Sequence, residues 1–403
     1  MQSKNEFRNL AKIIERTSDT FDYAYSKGIM TLYARSAEGR RVVDAEGTNL
    51  VDFARGSYLG LDNHPSLIAA AVDAMSTYQT LQWSGARTRL NFSLTRNLEE
   101  SLSDLLTARA LVFSLVLTAN MGILPLIACG ALTNGQKPVV VFDRFAHATL
   151  SYHKAVMADD TEVITIGHND MEELENICKR HPVVAYVADG VYSMGGSAPL
   201  AELQRLQSKY GMFLYIDDAH GISIVGKNGE GYARSAFSSL GERTVIAASL
   251  SKGFGATGGV LMLGTEQQEK LLRRYAVPHT FSMGPDLAGI AAALASAELH
   301  RTEELPLRQA RLRNVLKLFD EHIESAEVDS LVPIRMVVVG NERAAIDAAA
   351  ELRKMGFYVA AAFFPTVAQG KAALRVCLTA DHEPSDVIGL CAAIRRCLDR
   401  IVA

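Results

Sequence analysis

Lys252 lies in the stretch Ser249-Leu250-Ser251-Lys252-Gly253-Phe254-Gly255-Ala256-Thr257-Gly258-Gly259, directly after the apolar run 245–248. A lysine where a buried strand meets a glycine-rich turn is partly desolvated, which lowers its pKa and makes the amine a usable nucleophile. The hydroxyls of Ser249 and Ser251 suit an anionic group beside that amine, and the glycines let a ligand approach the backbone closely. Read alone, the stretch is equally compatible with a surface lysine on an ordinary turn.

A second apolar run, Phe213-Leu214-Tyr215-Ile216, ends in Asp217-Asp218-Ala219-His220-Gly221. A pyridoxal ring is an electron sink only while its ring nitrogen is protonated, and a carboxylate against that nitrogen retains the proton. An imidazole close by can hydrogen-bond the phenolic oxygen. Asp217, His220 and Lys252 thus supply three functions at the carboxyl ends of strands, where open α/β sheets bind ligands. The expected cofactor is pyridoxal 5'-phosphate, carried by Lys252 as a Schiff base. A structural Asp–His pair would leave the lysine unexplained.

Further segments follow in a fixed order: Tyr58-Leu59-Gly60-Leu61 with His64-Pro65, Asp143 to His147-Ala148, His168-Asn169-Asp170, and Asp189-Gly190-Val191-Tyr192-Ser193-Met194 to Ala198-Pro199-Leu200. Pro365-Thr366-Val367 to Arg375 closes the series. On these motifs the chain, from about residue 30 onward, resembles the α-oxoamine synthases, a family of fold-type-I pyridoxal-phosphate enzymes.

The resemblance implies that His147 stacks on the ring face of the cofactor and assists proton transfer at the substrate α-carbon. Without it, His147 reads as a loop histidine with a satisfied hydrogen bond. Ser193, with His220, matches residues that hydrogen-bond the phenolic oxygen. Asp189 stands where many members carry glutamate; a role behind the site and a carboxyl satisfied by a backbone amide are both open. Arg375 matches the arginine that holds the amino-acid carboxylate, a task suited to a guanidinium fork. Tyr58 and Gly56 line the substrate entrance, with Gly56 where the family usually has asparagine and Thr95 where many members have histidine.

The phosphate end departs from the family most. A serine-glycine-aromatic turn there opens a helix whose amides hold the phosphate. Here the run is Ser114-Leu115-Val116-Leu117-Thr118-Ala119-Asn120, with Val116 and Leu117 replacing the glycine and the aromatic. Thr118 is expected to act as N-cap hydroxyl, with Ser249 and Ser251 carrying more of the load. The Phe281-Ser282-Met283 segment matches a turn contributed by the partner subunit of a homodimer, leaving Ser282 as its hydroxyl.

The elements that must position these groups are legible as strand–helix alternation. Apolar strands are expected at 139–143, 163–166, 183–189, 213–217, 245–250 and 259–263, with helices at 171–180, 201–210 and 266–275 between them. This pattern predicts an α/β fold, a mostly parallel sheet with helices on both faces. An amphipathic helix is expected over 6–27, lying across a partner subunit or capping its own domain, followed by a hairpin turned at Glu46-Gly47. A long helical region after Pro285 leads to a small α+β domain. That domain has strands at 334–339, 358–363 and 374–378 and helices at 343–355 and 384–401. The expected division is residues 1–60 as an N-terminal segment, 61–300 as the cofactor domain and 301–403 as the small domain.

Composition is that of an ordinary α/β enzyme: 403 residues, 48% hydrophobic, 21% charged, formal net charge -4. That balance, without any Lys/Arg-rich block, argues against nucleic-acid binding. Cys129, Cys178, Cys377, Cys391 and Cys397 are scattered and form no Cys-x-x-Cys pair, so no metal site or disulfide framework is expected. No apolar run reaches membrane-spanning length, and Met1-Gln2-Ser3-Lys4-Asn5-Glu6 has no secretory character, so a cytoplasmic protein is expected.

The expected activity is therefore that of an acyltransferase that condenses an amino acid with an acyl thioester, on coenzyme A or an acyl carrier protein. The product is an α-aminoketone, with loss of thiol and carbon dioxide. An aminotransferase or lyase on the same fold, and a non-catalytic partner subunit, are the alternatives.

Overall fold

The computed structural model describes residues 6–82, 84–328 and 330–402, so the first five residues read for a secretory signal lie outside them. The described chain divides into two compact units. One comprises mainly 61–193 and 197–306; the other comprises 8–60, 194–196 and 307 onward.

The first unit is built on a seven-stranded sheet. Its order is Arg109–Phe113, Gly259–Leu263, Thr244–Ser249, Phe213–Asp217, Val184–Asp189, Val139–Asp143, Val163–Ile166. The strands from Thr244–Ser249 to Val163–Ile166 run parallel, whereas Gly259–Leu263 is antiparallel to both its neighbours. Strands buried on both faces must be apolar throughout. In Phe213–Asp217, Phe213 and Tyr215 enter one core while Leu214 and Ile216 enter the other. All but the first residue of the strand Arg109–Phe113 lies in a longer, mostly apolar run, 110–117, which also holds the start of the next helix.

Local chemistry ends the helices where the sequence suggests. Met171–Arg180 opens on Asp170, which accepts from Glu173 N at 3.0 Å, and it carries acids in its first turn and bases in its last. Glu266–Tyr275 opens with the reciprocal Thr265–Gln268 pair. The long helical region after Pro285 is two helices, Leu287–His300 and Glu304–Asp320.

In the second unit, Arg41–Asp44 and Asn49–Asp52 form the expected hairpin. Asp44 Oδ1 accepts from Glu46 N and Thr48 N at 3.0 and 2.8 Å, and Gly47 takes φ 88°. The single strand expected over 358–363 is instead split between two sheets. Phe357–Tyr358 pairs in parallel with Asn49–Asp52, and Ala360–Ala362 pairs with Ala372–Cys377. The N-terminal helix Leu10–Ser26 packs on this unit's own helix Glu342–Lys354, with Tyr23 Oη donating to Asp347 Oδ1 at 2.9 Å, while Leu10 and Ile14 stay exposed.

Candidate active site

Asp189 and Asp217 end neighbouring parallel strands in register, so their carboxyls leave the sheet at the same level. Asp217 is buried. Its Oδ1 accepts from Ala219 N at 3.0 Å and its Oδ2 from Asn120 Nδ2 at 3.1 Å. Asn120 Nδ2 also donates to Thr149 Oγ1 at 3.2 Å, and Asn120 Oδ1 accepts from the Tyr215 hydroxyl. Sequence reasoning passed over Asn120. The signal was an amide in the middle of the apolar helix Val116–Ala128, where a buried polar group needs partners.

His147 joins the same network. Its Nδ1 accepts from Thr149 N at 3.2 Å and lies 2.8 Å from Thr149 Oγ1, so in the neutral ring the proton sits on Nε2. The His147 backbone N–H donates to Asp189 Oδ1 at 3.0 Å. The bond fits the reading of Asp189 as a carboxyl satisfied by a backbone amide, and that amide is the one of His147. Burial, then the neighbouring Asp217, push the Asp189 carboxyl well above the usual carboxylate range.

Lys252 Nζ lies 3.2 Å from His220 Nε2. The turns that carry them are in close backbone approach: a Cβ on Gly253 would sit 2.6 Å from Ile222 O. Ser249 is buried, and its Oγ accepts from Ser251 N at 3.2 Å, while Ser251 is exposed. Ser193 is half-buried just beyond the end of Val184–Asp189.

Gly259 pairs with both Ser249 and Phe113, so one end of the sheet brings the Ser249 hydroxyl to the start of the helix Val116–Ala128. A Cβ on Gly259 would sit 2.5 Å from Val116 N, which leaves room there for glycine alone. The N-cap is Leu115, which has no side-chain acceptor, and this corrects the role expected of Thr118. Thr118 lies one turn in, where its Oγ1 accepts from Leu115 N at 3.1 Å and donates to Leu115 O at 2.7 Å. Its hydroxyl is drawn to the backbone of the preceding turn because leucine leaves that position uncapped. Ser282 follows the short helix Val277–Phe281 and is exposed, beside Phe281 at 80% exposure.

The second unit carries Tyr58, Arg375 and Gly56. Residues 375 and 377 alternate along Ala372–Cys377 and so share a face; Arg375 Nη1 donates to Cys377 Sγ at 2.9 Å. Arg375 also hydrogen-bonds the buried Tyr58 hydroxyl, whose pKa is raised, chiefly by burial. Backbone bonds from Cys377 N to Phe53 O (2.7 Å) and from Ala380 N to Tyr58 O (2.8 Å) fasten the Tyr58 loop to that strand. Gly56 is half-buried, and its carbonyl accepts from Tyr58 N at 3.0 Å.

The donor set of the first unit fits a phosphorylated aromatic aldehyde. It offers a half-buried primary amine, a buried carboxyl fixed by two donors, a flat imidazole, and a helix start whose cap residue, Leu115, has no side-chain acceptor.

A family model for aminotransferase class I and II matches residues 48–394. The 8-amino-7-oxononanoate synthase of Geobacter sulfurreducens is 33% identical over 368 residues, covering 89% of this chain and 91% of that protein. That of Pseudomonas syringae pv. syringae is 33% identical over 372 residues, with 90% of each covered. Among solved structures, a serine palmitoyltransferase from S. paucimobilis superposes with TM-score 0.86 at 22% identity, covering 98% of this chain and 99% of that one. With relatives matched along most of their length and the fold reproduced, the chain belongs to the α-oxoamine synthases within the class I and II aminotransferase family.

Proposed function

We infer that this protein is a pyridoxal 5'-phosphate-dependent C-acyltransferase that condenses an amino acid with an acyl thioester to an α-aminoketone, releasing thiol and carbon dioxide. The observation that carries this reading is Lys252 Nζ at 3.2 Å from His220, in the unit whose Asp217 ends a central strand under Asn120. The cofactor, when bound, supplies the electron sink that stabilises negative charge at the substrate α-carbon.

Lys252 would hold the cofactor and serve as the base or acid for the substrate α-proton. Asp217, fixed by Asn120 and Ala219 N, would keep the ring nitrogen protonated. His220 and Ser193 would hydrogen-bond the phenolic oxygen. His147, with its backbone amide on Asp189 and its ring on Thr149, would cover the ring face. The start of the helix Val116–Ala128, with Ser249 and Ser251, would hold the phosphate through the helix dipole and hydroxyl donors. Arg375, steadied by Tyr58 and Cys377, takes the substrate carboxylate.

The active form is read as a homodimer in which the partner chain offers Ser282 to the phosphate. Large exposed apolar side chains support this, among them Leu115, Leu117, Met121, Phe145, Phe281 and Met283. No helix among the described residues is long and apolar enough to cross a membrane. The test is a screen of thiol release across acyl-coenzyme A and acyl-carrier-protein donors and amino acids. Thiol with a ketone product supports the reading; a keto acid without thiol release overturns it in favour of transamination.

A further inference from the structure

The 3.2 Å approach of Lys252 to His220 is made by two turns that belong to different strands. The two strands are paired in register and Gly253 packs on Ile222, but neither turn is regular structure, so an element that holds both turns also acts on their spacing. The helix Leu287–His300 is in contact with both. Ser296 Oγ donates to Phe254 O at 2.6 Å, two residues beyond Lys252. His300 Nε2 lies 2.9 Å from Ser223 Oγ, three residues beyond His220. Ser296 and His300 are four apart and therefore share one helix face.

The chemistry of this relay is fixed by its partners. His300 Nδ1 is 2.8 Å from Ser296 O, a pure acceptor, so Nδ1 carries the proton and Nε2 accepts from the Ser223 hydroxyl. Burial pulls the His300 pKa down to about 4, so the ring is neutral at ordinary pH. Ser223 holds φ 71°, a left-handed conformation that a non-glycine residue keeps only when its surroundings hold it there. Packing closes the cluster: Phe254 lies against His300 with ring centres 4.6 Å apart, and a Cβ on Gly229 would sit 2.7 Å from His300 Cδ2. Ser223, Ser296 and His300 are all buried, and they bond to one another and to the Phe254 carbonyl.

We propose that Ser223, Ser296 and His300 are positioning residues that set the distance between Lys252 and His220, and through it the basicity of the lysine-bound cofactor. The proposal rests on the reading of Lys252 as the cofactor's anchor.

The test loads full-length wild type, Ser223→Ala, Ser296→Ala and His300→Gln with pyridoxal 5'-phosphate. It measures the pH midpoint of the visible band, the cofactor release rate and the thermal midpoint. The hydroxyl deletions are small, so they carry the test even where His300→Gln does not fold. The expected result is a displacement of the band's pH midpoint by about half a unit or more in Ser223→Ala and Ser296→Ala, with faster cofactor release. A purely structural role would lower the thermal midpoint and leave the band's midpoint in place; that outcome overturns the proposal. Absence of the band in wild type would instead remove the Lys252 assignment on which it rests.

Discussion

The side-chain amide of Asn120 reaches out of an apolar helix to Asp217 Oδ2 at 3.1 Å, and it is the side-chain donor that fixes the carboxyl. Replacing Asn120 with leucine keeps the volume and removes that donor. A hydrogen bond to a charged group is worth about 1.5–3 kcal/mol, so cofactor affinity should fall by about tenfold or more. Titration of the visible band against pyridoxal 5'-phosphate reads this directly. Unchanged affinity in Asn120→Leu would mean that Asp217 holds its place without the amide.

Borohydride reduction of the loaded protein should leave a pyridoxyl group on Lys252. Lys252→Ala should lose the covalent adduct and still bind pyridoxal 5'-phosphate non-covalently through the remaining contacts. Peptide mapping that finds the adduct on any other lysine sinks the assignment.

Much of this was legible beforehand because it is written in local pattern. Strand ends at Asp217 and Asp189 follow apolar runs that leave no other reading, and the caps at Asp170 and Thr265 announce their helices. What stayed hidden depends on partners far away in the chain. The segment around Val359 is uniformly strand-like, and only the identity of its neighbours splits it between Asn49–Asp52 and Ala372–Cys377. A hydroxyl near a helix start reads as the N-cap, but the extended residue at the boundary is Leu115, and Thr118 serves from one turn in by accepting from Leu115 N. Asn120 and His300 find their partners 97 and 77 residues away, a distance no spacing rule reaches.

Asp218 gives a pH prediction with a definite sign. Its carboxyl is fully buried, Oδ2 accepts from Ala233 N at 2.9 Å, and Oδ1 has no hydrogen-bond partner. Burial pushes its pKa well above the usual range, so the folded state keeps the proton while the unfolded chain releases it above about 3.8. Stability from this group is full below that value and declines as pH rises. Asp218→Asn removes the titration, so its thermal midpoint relative to wild type should climb between about pH 5 and about pH 8. A difference that stays flat or falls with pH contradicts the buried-acid account.

Glu99 is the hub of a buried ion cluster away from the chemistry. Its Oε1 accepts from Arg87 Nη2 at 2.9 Å and Val112 N at 3.1 Å, and its Oε2 from Arg273 Nη2 at 2.7 Å. Glu99→Ala strands the buried Arg87 charge and should cost about 3–5 kcal/mol in urea unfolding. Glu99→Gln keeps the shape and some hydrogen bonds and should cost less. Equal losses for the two variants would show that the charge alone, and not the shape or the hydrogen bonds that glutamine keeps, is what Glu99 contributes.

The amino-acid substrate is expected to be larger than glycine. The expectation follows from the family resemblance, on which Gly56 replaces an asparagine side chain next to Tyr58; the Gly56 carbonyl accepts from Tyr58 N at 3.0 Å. Arg375 would still take the carboxylate, so the extra group of a larger amino acid would occupy the space next to Gly56. Size discrimination in such a pocket is worth only about 1–3 kcal/mol per missing group, so some activity with glycine should survive. The measurement is α-proton exchange into deuterated water for glycine, alanine, serine and longer amino acids, without an acyl donor. Gly56→Asn should depress exchange with the larger amino acids more than with glycine, because the added side chain fills the space they use. Exchange fastest with glycine and undetectable with every larger amino acid in the unsubstituted protein would assign Gly56 no part in substrate choice.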